Sequence, residues 1–247
     1  MTPRRGLIRF AHRGASALAP ENTIAAFQEA YDRGCEWIET DVRLTADQVP
    51  VLLHDERVDR TTGARGELGA MSLRQVLRLD AGSWFGRKFL AERIPTLDEA
   101  LEWSRGRCGL NLELKEKKRR PEAIRQIARR LESHRALDAV LISSFAPGDL
   151  LGFRACLPRV RLAWLASRGT RGLKPLVRKA GLAALHPKDR IVAPRLLNRC
   201  RRLGLAVHVW VVNRPERLRA LEKMEVDGVM TDDPRIFSYE TMGREEG

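Results

Sequence analysis

No run of about 18 apolar residues occurs in the 247-residue chain, which excludes a membrane-spanning helix. The first residues, MTPRRGLIRFAHRG, carry an Arg pair with no apolar stretch behind it, so no cleavable signal is expected there. Only four cysteines are present (Cys35, Cys108, Cys156 and Cys200), widely spaced and without a Cys-x-x-Cys pair. That spacing argues against a disulfide framework or a thiolate zinc site and fits free thiols in a reducing compartment, so the expected location is cytoplasmic. There is no internal repeat and no low-complexity linker.

What is present describes a globular chain, 43% apolar and 31% charged, of about the size of one (β/α)₈ barrel. A net charge of +13 would suit an anionic partner, and a basic barrel that binds nucleic acid is the distant alternative it raises. The arginines, however, are scattered along stretches of helical period such as RPEAIRQIARRLESHR. They are read as solvated helix faces, with no nucleic-acid partner expected.

Short apolar or β-branched runs at residues 7–11, 37–42, 49–53, 110–114, 140–143, 161–165, 206–212 and 228–230 predict strands. Between many of them lie amphipathic stretches of helix length, at residues 23–33, 97–104, 121–134, 194–203 and 215–223. This alternation predicts an α/β protein built of parallel βαβ units. About eight of them fit a closed barrel better than the remaining alternative, an open doubly wound sheet. Residues 56–93, glycine-rich and carrying Trp84, Phe85 and Phe89, break the pattern after the third strand and read as a small insertion in a single domain. Residues 242–247 are expected to fray.

Glu39 and Asp41 are two apart in a predicted strand and share a face, as do Asn111, Glu113 and Lys115 in NLELK. If both strands end at one barrel mouth, three carboxylates converge where a hard divalent cation would be held by oxygen. Ca²⁺ or Mg²⁺ is expected there, and Mn²⁺ also fits. His12 with Arg13 in AHRG, and His54 with Asp55 in VLLHD, each follow an apolar strand. Two imidazoles can divide removal of one proton and delivery of another, while Arg13 and Lys115 offer charge to an oxyanion. Trp210 in HVWVVN faces the same way as His208 and offers aromatic surface to a ligand. His134 and His186 are read as structural, in helix and loop contexts without acidic partners at metal spacing. Glu21 and Asn22, in the helix entrance PENT, are candidates to orient the groups that touch the ligand.

The string AHRGASALAPENTIAAFQEAYDRGCEWIETDVRLTADQVPVLLHD resembles the glycerophosphodiester phosphodiesterase family, and DRTTGARGELG, SWFGRKFLAERIPTLDEAL, NLELK, LISSF, VHVWVVN and VDGVMTDDP extend the resemblance from Leu7 to Pro234. It implies a TIM barrel, a divalent cation, usually Ca²⁺ or Mg²⁺, and a small-molecule glycerophosphodiester substrate cleaved to sn-glycerol 3-phosphate and an alcohol. It also implies His12 and His54 as the acid/base pair, Glu39, Asp41 and Glu113 as metal ligands, Arg13 and Lys115 as phosphate contacts, and Trp210 as the lining of the glycerophosphate pocket. Val211 departs from the threonine frequent in the family's W-T-V-N string. A lysophospholipase D or sphingomyelinase D-like activity on lysolipids is the alternative such a resemblance leaves open, and transient contact with a membrane surface is compatible with either. Whether water attacks directly, or after a cyclic phosphate formed by the glycerol hydroxyl, is not decided by these residues.

Overall fold

In a computed structural model, residues 6–238 are described; the tail expected to fray lies outside them. Eight parallel strands among these residues close into a barrel. They are β1 (Ile8–His12), β2 (Trp37–Leu44), β4 (Gly109–Leu114), β5 (Val140–Ser144), β6 (Arg161–Ala166), β7 (Ala184–Pro187), β8 (Ala206–Val209) and β9 (Gly228–Thr231). Closure comes from β1, which pairs with β9 on one side and β2 on the other. One further strand, β3 (Pro50–Leu52), lies antiparallel against β2 and outside the barrel.

Helices α1 (Ile24–Asp32), α3 (Leu97–Ser104), α4 (Arg120–Ser133), α5 (Pro147–Cys156), α6 (Leu173–Ala180), α7 (Pro194–Arg202) and α8 (Pro215–Lys223) fill the connections. Their starts are written in the sequence. Thr23 caps α1 through Oγ1, and Thr96 with Glu99 forms a capping box on α3. Proline opens the first turn of α4, α5, α7 and α8, where a missing N–H costs nothing. Strand alternation then sorts the faces: Ile38 and Val42 of β2, with Leu110, Leu112 and Leu114 of β4, enter the main core beneath the helices. Glu39, Asp41, Asn111 and Glu113 therefore point into the barrel.

Two expectations are corrected. Residues 49–53 supply no barrel strand: Pro50 can donate no hydrogen bond, and the run folds back on β2 as a short arm. The missing eighth strand is β7, whose four residues, Ala-Leu-His-Pro, carry too weak a pattern to signal a strand. His186 accordingly stands in a strand and not in a loop.

The segment at residues 56–93 contains only short helical turns, including α2 (Leu73–Val76), and closes over its own small core of Val51, Leu53, Val58, Leu68, Val76, Ala81 and Ile94. Its first residues leave directly from His54 and Asp55.

Candidate active site

The carboxylates of Glu39 and Asp41 from β2, and of Glu113 from β4, meet at the C-terminal mouth, each offering an oxygen within 4.8 Å of the others. Register accounts for the meeting, because Asp41 lies directly beside Glu113. All three are buried. Burial pushes Glu39 up to about 8 and raises Glu113 as well, the neighbouring Asp41 charge adding to both. Burial acts on Asp41 in the same sense, yet the charges of Lys115 and Arg13 outweigh it and hold that carboxylate down at about 2. Glu39 Oε1 has no hydrogen-bond partner among the described residues, and Asp41 Oδ1 has only the Lys115 ammonium beside it. Buried carboxylate oxygens of this kind are what a hard cation would take.

Lys115 Nζ sits 3.3 Å from Asp41 Oδ1 and 2.5 Å from Glu113 Oε1. Arg13 Nε lies 3.3 Å from Asp41 Oδ2, and its backbone N–H donates to Glu39 Oε2 at 3.1 Å. Arg13 holds a left-handed backbone, φ 58°, that a long side chain rarely adopts. Gly14 continues the turn at φ 79° with its α-carbon against α1, where a Cβ would come within 2.7 Å of the Ala26 backbone. Asn22, also left-handed at 57°, donates from Nδ2 to Asp41 Oδ2 (2.9 Å), while its Oδ1 accepts from Thr40 Oγ1 (2.7 Å). Glu21 accepts from Arg13 Nη1 at 2.9 Å. Both PENT residues thus brace the site from behind.

The two histidines flank the acids in matching fashion. His12 Nδ1 donates to Asp232 Oδ1 at 2.6 Å, leaving Nε2 3.8 Å from Glu39 Oε2. Burial disfavours a charged His12 ring, but the Asp232 hydrogen bond and the Glu39 charge win and raise its pKa. His54 Nδ1 donates to Asp55 Oδ1 at 2.6 Å, and here burial prevails and lowers the pKa. Each ring therefore has Nδ1 fixed by a carboxylate and Nε2 free to exchange a proton. His54 reaches the site from the β3 arm, where Leu53 N donates to Asp41 O (3.0 Å) and Arg43 Nε donates to His54 O (2.9 Å).

Trp210 follows β8, its Nε1 donating to His186 O at 2.7 Å. Its ring meets exposed Phe145 edge-on at 5.6 Å, and Lys115 Nζ lies 6.0 Å from the Phe145 ring. The aromatic pair thus borders the cationic side of the site. His208, by contrast, points into the barrel floor, where its Nδ1 lies 3.0 Å from Nε2 of fully buried His186. His134, at the C-terminal end of α4, donates to Asp98 at 2.8 Å, away from the acids of the barrel mouth.

The sequence profile of the glycerophosphoryl diester phosphodiesterase family matches residues 12–236. The chain belongs to that family. A glycerophosphodiester phosphodiesterase of Caldanaerobacter subterraneus subsp. tengcongensis is 36% identical over 229 residues, covering 92% of this chain and 94% of the relative. A phosphodiesterase of Oleispira antarctica, solved with the product sn-glycerol-3-phosphate, superposes with a TM-score of 0.89 at 32% identity, covering 93% of this chain and 95% of the other. The Agrobacterium tumefaciens glycerophosphodiester phosphodiesterase gives 0.83 at 28% identity, covering 94% and 99%.

Within this family member, sequence reasoning missed three residues that hold the site. Asp232 pins His12 and is itself held by Ser16 Oγ (3.1 Å) and Asn213 Nδ2 (2.6 Å). Arg60 donates to Asp55 Oδ2 (2.7 Å) and to both oxygens of Glu21 (2.7 and 2.8 Å), tying the His54 side of the site to the Arg13 side. Phe145 shields Trp210. An acid directly after the last strand of a barrel, as in MTDDP, was the signal that could have found Asp232.

Proposed function

We propose that this protein hydrolyses glycerophosphodiesters to sn-glycerol 3-phosphate and an alcohol in one barrel domain, using His12 and His54 as acid and base around a divalent cation held by Glu39, Asp41 and Glu113. The observation that carries the reading is the pair of imidazoles, each with Nδ1 fixed by a carboxylate, flanking three convergent buried acids. One Nε2 takes the proton from the attacking oxygen and the other gives a proton to the departing alcohol. Arg13 and Lys115 orient the phosphate oxygens, and Trp210 covers the glycerol carbons. When bound, Ca²⁺, Mg²⁺ or Mn²⁺ supplies charge that polarises the phosphoryl group.

Charge balance supports the donor set. With all three carboxylates ionised, as cation binding would require, they leave one negative charge in excess against Arg13 and Lys115. A divalent ion turns that into one positive charge, which a phosphodiester monoanion neutralises. The product bound by the Oleispira antarctica neighbour supports the same substrate class. Among the described residues no helix is long and apolar enough to cross a membrane.

The test is release of sn-glycerol 3-phosphate from glycerophosphocholine with added Ca²⁺, Mg²⁺ or Mn²⁺, against chelator and Glu113→Ala. Release that needs metal and is lost in the variant is expected. No release by folded protein, together with cleavage of lysophosphatidylcholine, would replace this reading with lysophospholipase D chemistry.

A further inference from the structure

Three segments of the catalytic centre each place a residue two positions further on in the wall of one small cavity: Asp41 leads to Arg43, His54 to Glu56, and Lys115 to Lys117. Two residues of chain span at most about 7 Å, the value reached along β2, so this cavity of about 310 Å³ lies next to the catalytic centre. Its remaining charged walls are Glu67, Glu116, Lys118 and Arg119.

The charges in those walls pair off with one left over. Lys117 Nζ is 2.9 Å from Glu56, Lys118 Nζ 3.8 Å from Glu67, and Arg119 Nη2 3.5 Å from Glu116. Arg43 forms no close ion pair with any of these acids, although the charges of Glu56 and Glu116 act on it from further off. It is only 7% exposed, and its one hydrogen bond runs from Nε to His54 O. Its two Nη nitrogens have no partner among the described residues. A guanidinium is always charged, and a largely buried one whose Nη fork makes no hydrogen bond to the protein can still take an anion.

We propose that Arg43 and this cavity form an anion subsite, taking a compact carboxylate or phosphate group beside the scissile phosphodiester. The proposal rests on the phosphodiesterase reading for its setting, and it names a substrate preference: glycerophosphodiesters whose leaving alcohol carries a second negative charge. A free oxyanion in the same place is the other source of that chemistry.

Arg43→Gln separates the two roles of the side chain, because the glutamine nitrogen falls where Arg43 Nε lies and can still donate to His54 O, while the Nη fork is gone. Glycerophosphoserine and glycerophosphoethanolamine differ by one carboxylate, so the measurement is the ratio of their kcat/KM values in wild type and variant. A general disturbance of the site lowers both substrates and leaves the ratio alone. Loss of a charged hydrogen-bond partner is expected to lower the ratio about tenfold. Calorimetric titration with inorganic phosphate supplies the second arm. An unmoved ratio, with one phosphate-binding event lost in Arg43→Gln, assigns the subsite to a free anion. An unmoved ratio with identical phosphate binding overturns the proposal. If wild-type protein cleaves neither substrate, the phosphodiesterase reading falls and the phosphate titration alone decides the cavity.

Discussion

The buried pair His186 and His208 makes stability depend on pH in a direction and by an amount that can be worked out. Burial holds the His208 pKa down to about 3 and that of His186 well below its ordinary value, so both rings are neutral in the folded barrel. In the unfolded chain each titrates near 6.5. Below that value the unfolded chain binds protons the folded chain refuses, so the contribution is complete above about pH 6.5 and is lost as pH falls toward 3. For His208 the loss between pH 7 and pH 5 comes to about 2 kcal/mol, from 1.36 kcal/mol per unit below 6.5. The assay is urea unfolding at both pH values in wild type and His208→Leu. Carboxylates shifted elsewhere titrate alike in the two proteins and cancel in the comparison. The variant is expected to be less stable at pH 7, having lost the ring contact with His186, and to lose about 2 kcal/mol less than wild type between pH 7 and 5. Equal losses in the two proteins would refute the assignment of His208 as a buried neutral ring.

Two further outcomes are expected. Asp232→Asn keeps its neighbours Ser16 and Asn213 but replaces the acceptor that fixes His12 Nδ1, so kcat should fall about 10²- to 10⁴-fold with the melting temperature little changed; a rate within about threefold of wild type would show that Asp232 does not position His12. Gly14→Ala combines a strained φ of 79° with a Cβ 2.7 Å from the Ala26 backbone, and should cost about 2–4 kcal/mol, roughly 5–15 °C in melting temperature, measured by thermal unfolding.

Much of the site was legible because strand alternation is a local rule. Glu39 with Asp41, and Asn111 with Glu113, declare a shared face within three residues, and the apolar residues between them declare the opposite face. The helix starts were equally local, through Thr caps and Pro at the first turn. What escaped depended on contacts between distant parts of the chain. His12 and Asp232 are 220 positions apart, and although MTDDP marks Asp232 as an acid at a strand end, only the closed barrel makes it the partner of His12. Arg60 sits in a loop whose path only the fold determines. The strand count was right for a mixed reason, the arm at residues 49–53 having been counted in place of β7. Arm and barrel strand cannot be told apart by hydrophobicity in so short a run.

Because His54 stands on the β3 arm and not on a barrel strand, half of the proposed proton-transfer machinery is anchored by a part of the chain that the barrel could close without. Its anchorage is the pairing with β2 and the small core running from Val51 to Ile94. Anyone transplanting loops between relatives to change substrate range should therefore move that whole block as one cassette, since a graft that begins after His54 would sever the histidine from the core that seats it.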